Sequence, residues 1–299
     1  MTVNGLSVVV LLREVLDPRP PVRLAGGGVM VREPGPRRLV NPADLEALEE
    51  AMLLAEGRGA RVTAVAVGPG RRLEDGLRLA LAMGAHRAVR VDGPGLWEGD
   101  AVARARVLAR VVEILSPSLV LAGARLLDRG DDPAPALAAA GLGLPCCAPV
   151  VSARVGDGEA TATRKADRGA RDVVALPLPC VFLIEGGARE PRYPDLDAVL
   201  AALEAPVETW GLPELGLPER AVGEHAALLR PERLVHPRPD PVPVPTPDPD
   251  APAFERIRAL LSGGIRARAG RVHEGSAGEV VEGLLRILEE EGLLQGAAP

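Results

Sequence analysis

Short apolar runs alternate with longer amphipathic stretches along the first 141 residues. Residues 6–12 and 118–122 are continuous apolar runs, typical of strands that are buried on both faces. Residues 61–67 and 86–91 have the composition of two further strands. Amphipathic helices are predicted between the strands, over about residues 42–55, 71–83, 100–115 and 133–141. This alternation predicts a parallel sheet with right-handed crossovers.

The first helix has a clear start signal in Asn41-Pro42-Ala43-Asp44. Asparagine is a good N-cap, proline suits the first helical position, and an acid is favourable in the first turn. We therefore expect the Asn41 side chain to cap this helix. The face expected to pack inward carries Leu45, Leu48, Met52 and Ala55.

The pattern changes after residue 145. Four strands separated by turn residues are predicted at residues 146–154, 159–165, 171–176 and 180–184, followed by a short helix at 195–203. We interpret these four strands as an antiparallel extension of the parallel core. The predicted fold class is α/β with a mostly parallel sheet and an antiparallel extension.

A run of alternating prolines over residues 236–252 divides the chain. Proline at nearly every second position forbids helices and sheet ladders and favours an extended linker. We predict an α/β domain at residues 1–225, a linker at 226–252 and a helical arm at 253–299. The apolar stripe of the last helix, at residues 279–291, either docks on a partner or folds back on its own domain.

Composition excludes several function classes. The net charge is −6 and only five residues are aromatic, so the chain offers neither a broad basic surface nor a base-stacking platform for nucleic acid. Lys165 is the only lysine and does not follow a glycine, so there is no phosphate-binding Gly-x-x-x-x-Gly-Lys loop. The apolar runs are too short to span a membrane, and no signal-peptide pattern is present. With three cysteines, the sequence predicts a reduced, cytoplasmic protein without membrane insertion.

Few residues are candidates for chemistry. The histidines are scattered and without metal-ligand spacing, and Cys146-Cys147 and Cys180 are expected to be structural thiols. Asp128, Asp131 and Asp132 follow the strand at 118–122, where loops of an open parallel sheet line the ligand crevice. These acids either hold a cation or a ribose hydroxyl, or form a solvated loop with a helix cap.

Several motifs, in order, resemble the beta subunits of electron transfer flavoproteins and the related FixA proteins. They are Asn41-Pro42, Gly68-Pro69, the stretch 79–88 (LALAMGAHRA), the strand 119–123, Leu176-Pro177-Leu178-Pro179 and Glu190-Pro191-Arg192-Tyr193. The order and spacing agree from residue 6 to about 212, and the tail from Gly263 to Leu294 resembles the C-terminal arm of that family.

The resemblance implies a Rossmann-like adenine-nucleotide-binding fold and a subunit that carries electrons without a catalytic residue of its own. It implies a heterodimer with an alpha subunit that holds the redox-active FAD. The donors would be flavin dehydrogenases such as acyl-CoA dehydrogenases, and the acceptor a quinone reductase or another protein. The beta subunit of this family usually holds AMP, which a second FAD replaces in bifurcating members.

Transferred by position, the resemblance also implies a set of nucleotide-binding residues. They are Leu11, Asn41, Pro42, Ala43, Asp44, Val67, Gly123, Arg125, Asp128, Arg129, Asp131, Asp132 and Ala134. The loop departs from the family, in which Asn-Gln-Thr-Gly-Gln stands where this chain has residues 132–136 (DPAPA). Pro133 and Pro135 lack N–H donors, and Asp132 would repel a phosphate. Arg125 and Arg129 are the candidates to compensate, so AMP, a second FAD and an empty pocket all stay open.

The same resemblance implies a partner-binding loop of Ala188, Glu190, Pro191, Arg192 and Tyr193. The family has a leucine anchor for the dehydrogenase where this chain has Ala188, which weakens that contact. Two other hypotheses are kept. One is a non-redox structural or binding descendant that has lost the nucleotide. The other is an enzyme of the related nucleotide-hydrolase-like superfamily, for which no nucleophile is evident.

Overall fold

In the computed structural model the described residues are 5–19, 24–25, 30–31, 38–68, 72–93, 95–96, 98–229, 232, 247–261 and 272–290. The chain divides into two compact units, Met1–His236 and Pro237–Pro299. Most of the predicted linker, including the proline run from residue 236 to 246, lies outside the described residues. The predicted boundaries at residues 225 and 252 stay predictions.

The elements of the first unit follow the predicted alternation. Its strands are β1 (Ser7–Leu12), β2 (Glu14–Leu16), β3 (Leu24–Ala25), β4 (Met30–Val31), β5 (Arg38–Val40), β6 (Arg61–Val67), β7 (Arg87–Val91), β8 (Leu119–Gly123), β9 (Arg125–Leu126), β10 (Gly130–Asp131), β11 (Cys146–Val155), β12 (Glu159–Lys165), β13 (Arg171–Pro177), β14 (Cys180–Ile184) and β15 (Glu208–Trp210). Its α-helices are α1 (Pro42–Arg58), α2 (Arg72–Ala82), α3 (Ala101–Leu115), α4 (Ala134–Gly141), α5 (Leu196–Glu204), α6 (Leu212–Leu215) and α7 (Gly223–Ala226).

A nine-stranded sheet organises the described part of this unit, in the order β13-β12-β11-β14-β8-β1-β6-β7-β15. Seven neighbouring strands of this sheet, β11-β14-β8-β1-β6-β7-β15, run parallel to one another. In this sheet only β12 is antiparallel to its neighbours, β11 and β13. The fold class is therefore a mixed α/β fold with a mostly parallel sheet. One assignment was wrong: β14 belongs to the parallel core, between β8 and β11, because its five buried residues need cover on both faces.

Strand β1 shows why the core has two halves. Side chains alternate across a strand, so Val8, Val10 and Leu12 pack into one apolar cluster while Val9 and Leu11 pack into the other. All five are at most 3% exposed. A strand that is apolar from Val8 to Leu12 is thereby placed in the centre of the sheet, with helices on both faces.

The second unit contains α8 (Ala253–Leu261) and α9 (Ala277–Glu290). Neither helix has a buried residue, and the apolar side chains of Phe254, Leu261 and Leu284 are more than half exposed. Within the described residues, no helix is long and apolar enough to cross a membrane.

Candidate functional site

The strand order reverses between β1 and β8. From β1 the chain continues outward through β6 and β7, then returns to β8 on the other side of β1. In an open parallel sheet, the crevice for a ligand lies at such a switch point, outside the carboxyl ends of the strands. We therefore expect a ligand site among the residues that follow β1 and β8.

Arg13 follows β1 and points its guanidinium into this switch point. Its Nε and Nη2 donate to the two carboxylate oxygens of Asp44, at 3.0 and 2.6 Å, and Nη2 also donates to the carbonyl oxygen of Gly123 at 2.5 Å. Its Nη1 donates to Asp132 Oδ2 at 2.9 Å. Burial by itself lowers the pKa of Arg13, but the two carboxylates outweigh it and the pKa is raised.

Asp44 is the fully buried partner at the start of α1. Its carboxylate accepts four hydrogen bonds, from the backbone N–H of Arg13 and of Gly123 and from two nitrogens of the Arg13 side chain. It thus joins β1, β8 and α1 through one side chain. Close approach of the elements depends on Gly123, where a Cβ would lie 2.6 Å from Ala43 Cβ and 2.8 Å from Asp44 Oδ1.

Asp132 lies directly before α4 and its side chain is 6% exposed. Besides the Arg13 contact, its Oδ1 accepts from the backbone N–H of Ala134 at 3.3 Å and lies 3.9 Å from Nη2 of Arg104. Burial lowers the pKa of Arg104, and Asp132 opposes this shift. The N-cap residue of α4 is Pro133, so Asp132 contacts the first turn from the position before the cap, and its carboxylate also compensates the charge of Arg13.

Asn41 does not cap α1 through its side chain, so that expectation was wrong. Its Nδ2 donates to the carbonyl oxygen of Arg125 at 2.8 Å, and its Oδ1 accepts from the backbone N–H of Leu127 at 3.1 Å. The loop after β8 offers these backbone groups within reach, and an amide can satisfy a donor and an acceptor at once. Asn41 therefore positions that loop.

Asp128 has a similar positioning role. Its Oδ2 accepts from the backbone N–H of Leu16 at 3.1 Å, which ties the loop after β8 to β2. Its Oδ1 has no hydrogen-bond partner among the described residues, although Nε of Arg129 lies 3.7 Å away. Asp131 and the arginines Arg125 and Arg129 are exposed. The three aspartates of the loop thus do not converge on one point.

Four of the expected nucleotide-binding residues do meet. Leu11, Val67, Asp132 and Ala134 line one cavity, together with Arg13, Arg104 and three apolar residues. The volume of this cavity is only about 10 Å³, close to the minimum for a single water molecule. The expected site therefore exists as a cluster of residues, but the cluster is packed.

A second cavity of about 380 Å³ also has Arg13 in its lining, together with residues of β5 and α2. It is lined by Leu12, Arg13, Glu14, Arg38, Leu39, Val40, Ala66, Leu73, Asp75 and Gly76. None of these residues comes from the loop after β8. The larger space thus does not coincide with the predicted phosphate loop.

Pro42 and Ala43 occupy the first turn of α1, where Ala43 packs against Gly123. Their observed role is to bring the helix close to β8. The most central residue of the site, Arg13, was missed by sequence reasoning, as was Arg104. The available signal for Arg13 was a charged residue directly after the apolar run from Val8 to Leu12.

The expected partner loop lies against buried glutamates of α1. Glu46 accepts hydrogen bonds from the backbone N–H groups of Gly187, Ala188 and Arg189 at 2.8–3.2 Å. Glu50 accepts from Nε of Arg189 at 2.7 Å. Because three consecutive N–H groups bind one carboxylate, the backbone of this loop is fixed, and Ala188 packs against the core.

The Glu-Pro-Arg-Tyr segment continues along the same helix. Arg192 donates from Nε and Nη2 to Glu49 and from Nη1 to Glu56. The side-chain hydrogen bonds from Arg192 lower the pKa of Glu49, against the effect of burial. Pro191 is half-buried, Glu190 is exposed, and Tyr193 is 93% exposed. The segment thus presents an aromatic ring on a rigid support.

His86 and the three cysteines have structural surroundings. The Nδ1 atom of His86 accepts from the backbone N–H of Val62 at 3.1 Å. Burial raises the pKa of all three cysteine thiols, that of Cys180 to about 12. No group of metal-ligating side chains is found among the described residues.

Comparison with known proteins identifies the family to which the chain is similar. A family model for the electron transfer flavoprotein domain matches residues 29–215. The chain is 33% identical over 206 residues to the electron transfer flavoprotein subunit beta of Syntrophomonas wolfei, covering 69% of this chain and 79% of the relative. It is 30% identical over 215 residues to that of Bacillus subtilis, covering 72% and 82%, and 32% identical over 202 residues to that of Methylophilus methylotrophus, covering 66% and 76%.

The matched range contains α1, the loop after β8 and the loop at residues 187–193 that the glutamates of α1 support, whereas β1 and Arg13 of the switch point precede it. The chain belongs to the electron transfer flavoprotein family, among the relatives of its beta subunits.

Proposed function

We propose that this chain is the beta subunit of a heterodimeric electron transfer flavoprotein whose alpha subunit binds the redox-active FAD. The heterodimer takes electrons from flavin dehydrogenases such as acyl-CoA dehydrogenases and passes them to a quinone reductase or another acceptor. The observation that carries the proposal is the family match over residues 29–215, which covers every strand of the nine-stranded sheet except β1, together with the loop after β8 and the Glu-Pro-Arg-Tyr segment. The cytoplasmic location belongs to the same proposal.

The charged residues of the site support a scaffold role. Arg13 and Asp44 satisfy each other and the backbone of Gly123, which leaves neither side chain placed as a general acid or base. In an electron carrier the flavin supplies the redox chemistry, and the protein supplies binding and orientation. In this chain the rigid sheet and the glutamate-supported loop would supply a surface for other proteins.

The loop around Tyr193 supports a dehydrogenase contact of unusual form. Ala188 is partly buried against the core, so it does not project as an apolar anchor. Tyr193 is the large, exposed side chain of the segment, and tyrosine is enriched at the energetic centres of interfaces. We therefore place the dehydrogenase contact on Tyr193.

A second candidate is a structural subunit of the same fold that carries no electrons. The packed cavity at the switch point favours this structural role, because a subunit that has lost its nucleotide needs no ligand pocket. The two candidates differ in whether a flavin-containing heterodimer forms.

The experiment is coexpression of the full chain with the alpha subunit of the same organism. Purification is followed by size-exclusion chromatography and by the visible absorption spectrum. A heterodimer with one FAD that is reduced by a dehydrogenase and its substrate supports the electron carrier. Tyr193→Ala should then slow reduction by the dehydrogenase while leaving the FAD content unchanged, and exposed Leu200→Ala serves as the control. A heterodimer without flavin, or no heterodimer, overturns the proposal.

A further inference from the structure

The residues at the switch point do not fit a bound AMP, which the family implies for this subunit. A nucleotide site needs volume, donors for the phosphate, and no competing anion. Ligand pockets for small molecules measure roughly 300–1,000 Å³, whereas the cavity lined by Leu11, Val67 and Ala134 measures about 10 Å³. Volume alone therefore argues against a nucleotide here.

Backbone donors for a phosphate are also few. A phosphate at the start of a helix is held by backbone N–H groups of the first turn. In α4, Pro135 has no N–H, and the N–H of Ala134 is already bound to Asp132 Oδ1. Pro133, the N-cap residue, contributes no N–H either.

The side-chain donors of Arg13 are used as well, and Arg125 and Arg129 are exposed. Arg13 directs Nε, Nη1 and Nη2 to Asp44, Asp132 and the carbonyl oxygen of Gly123. The charges of Arg13 and Arg104 are matched by those of Asp44 and Asp132. A phosphate dianion added to this neutral buried set would leave uncompensated negative charge, which is costly away from water.

One carboxylate occupies the position that an anionic ligand would take. Asp132 lies at the N-terminus of α4, where the helix dipole favours negative charge, and the guanidinium groups of buried Arg13 and partly buried Arg104 lie within 3.9 Å of it. Since it is covalently part of the chain, it reaches this position at high effective concentration.

We propose that Asp132 is an internal anion that closes the switch-point pocket, and that this subunit holds neither AMP nor a second FAD there. The inference concerns the chain itself and does not require the alpha subunit. This chain would therefore differ from a beta subunit whose switch point is filled by a nucleotide, because here the carboxylate of Asp132 fills that position.

The test uses the purified full-length chain and three measurements. Bound nucleotide is released by denaturation and quantified by chromatography with mass detection. Thermal unfolding is then recorded with and without AMP, and with inorganic phosphate against chloride at equal ionic strength. The same unfolding series is run on Asp132→Ala and on the control Asp167→Ala, which removes an exposed carboxylate outside the site.

The wild-type chain should release no stoichiometric nucleotide, and its unfolding midpoint should not respond to AMP. Asp132→Ala should lower the midpoint, and inorganic phosphate should raise it again by at least about 2 °C, because a small free anion then replaces the missing carboxylate. AMP should have no such effect, because the cavity is too small for it. Asp167→Ala should behave as the wild type does with both anions.

About one AMP or FAD per wild-type chain would overturn the proposal. So would a midpoint of the wild type that rises with AMP, or a folded Asp132→Ala variant that does not respond to inorganic phosphate. If Asp132→Ala does not fold, the isosteric Asp132→Asn variant takes its place in the same measurements. The FAD content of the heterodimer tests the proposed function. It does not affect the present test, which uses the isolated chain without the alpha subunit.

Discussion

At the scale of residues, the behaviour of the site follows from how completely each buried charge is partnered. Asp44 is fully buried and Arg13 is 6% exposed, yet every carboxylate oxygen of Asp44 has two donors. A buried ion pair of this kind gains its Coulomb energy only while both partners are present. Removal of one charge leaves the other buried without full compensation.

Asp44→Asn should therefore lower the free energy of unfolding by about 3–5 kcal/mol. The charge of Arg13 remains, and the amide NH₂ group replaces a carboxylate oxygen that accepts two hydrogen bonds, so donors then face donors. Urea unfolding followed by circular dichroism measures this. The control is Glu113→Gln, which removes one side of the exposed pair with Arg110 and should change stability by less than about 1 kcal/mol. Equal effects of the two variants would contradict the argument.

Glu49 predicts a dependence of stability on pH. Hydrogen bonds from Arg192 hold the pKa of Glu49 in the folded chain below the value in the unfolded chain, which is about 4.3. The stabilisation is therefore fully present above that value and is lost as the pH falls through the folded pKa. Glu49→Gln should be less stable than the wild type near neutral pH.

This difference should narrow progressively in acid, below about pH 4.3. Urea unfolding at a series of pH values measures it, with exposed Glu204→Gln as the control that stays close to the wild type throughout. A difference that widens in acid would have the wrong sign and would contradict the contact.

At the scale of elements, the position of α1 against β8 depends on a glycine. A Cβ at Gly123 would lie 2.6 Å from Ala43 Cβ and 2.8 Å from the backbone carbon of Ala43. These atoms belong to a helix that is packed on the core, so they cannot move aside individually. The loop after β8 and the helix start are thereby fixed relative to each other.

Gly123→Ala should destabilise the chain by about 1–3 kcal/mol, since overpacking at this contact must push the two elements apart. Gly141→Ala is the matched control, because no atom lies within 4 Å of a Cβ at this helical position. It should be neutral or stabilising by up to about 1 kcal/mol. Thermal unfolding of both variants measures the two effects. An unchanged stability of Gly123→Ala would show that the close approach of α1 to β8 is not required.

The elements were largely predictable, because their signals are local. The predicted strand at residues 61–67 coincides with β6, and the helix predicted at 100–115 is α3 with Asp100 as its N-cap. Strand β14 was assigned to the wrong part of the sheet, because neighbours in a sheet are chosen by packing across the fold. The side chain of Asn41 was misassigned for the same reason, since its partners come from residues 125 and 127.

At the scale of the whole molecule, both buried apolar clusters belong to the first unit. Their members range from Val8 to Val222, whereas the described helices of the second unit have no buried residue. Hydrophobic stabilisation scales with the apolar area that is removed from water. Stability of the described structure therefore resides in the first unit.

Two matched substitutions test this division. Leu215→Ala removes a fully buried side chain of the first unit and should cost about 2–5 kcal/mol. Leu261→Ala truncates a side chain of the second unit that is 84% exposed and should change stability by less than about 0.5 kcal/mol. Urea unfolding of the full chain measures both. A large loss in Leu261→Ala would show that this helix packs against a core in solution.

The sequence by itself determined the fold class, the order of elements and the resemblance to the family, because hydrophobic periodicity and ordered motifs are carried by neighbouring residues. Only the tertiary structure decided what the expected nucleotide residues do. It placed Arg13 between Asp44 and Asp132, residues separated from it by 31 and 119 positions, and so packed the expected pocket. Charge compensation between such distant residues depends on three-dimensional distance, which no local pattern of the sequence specifies.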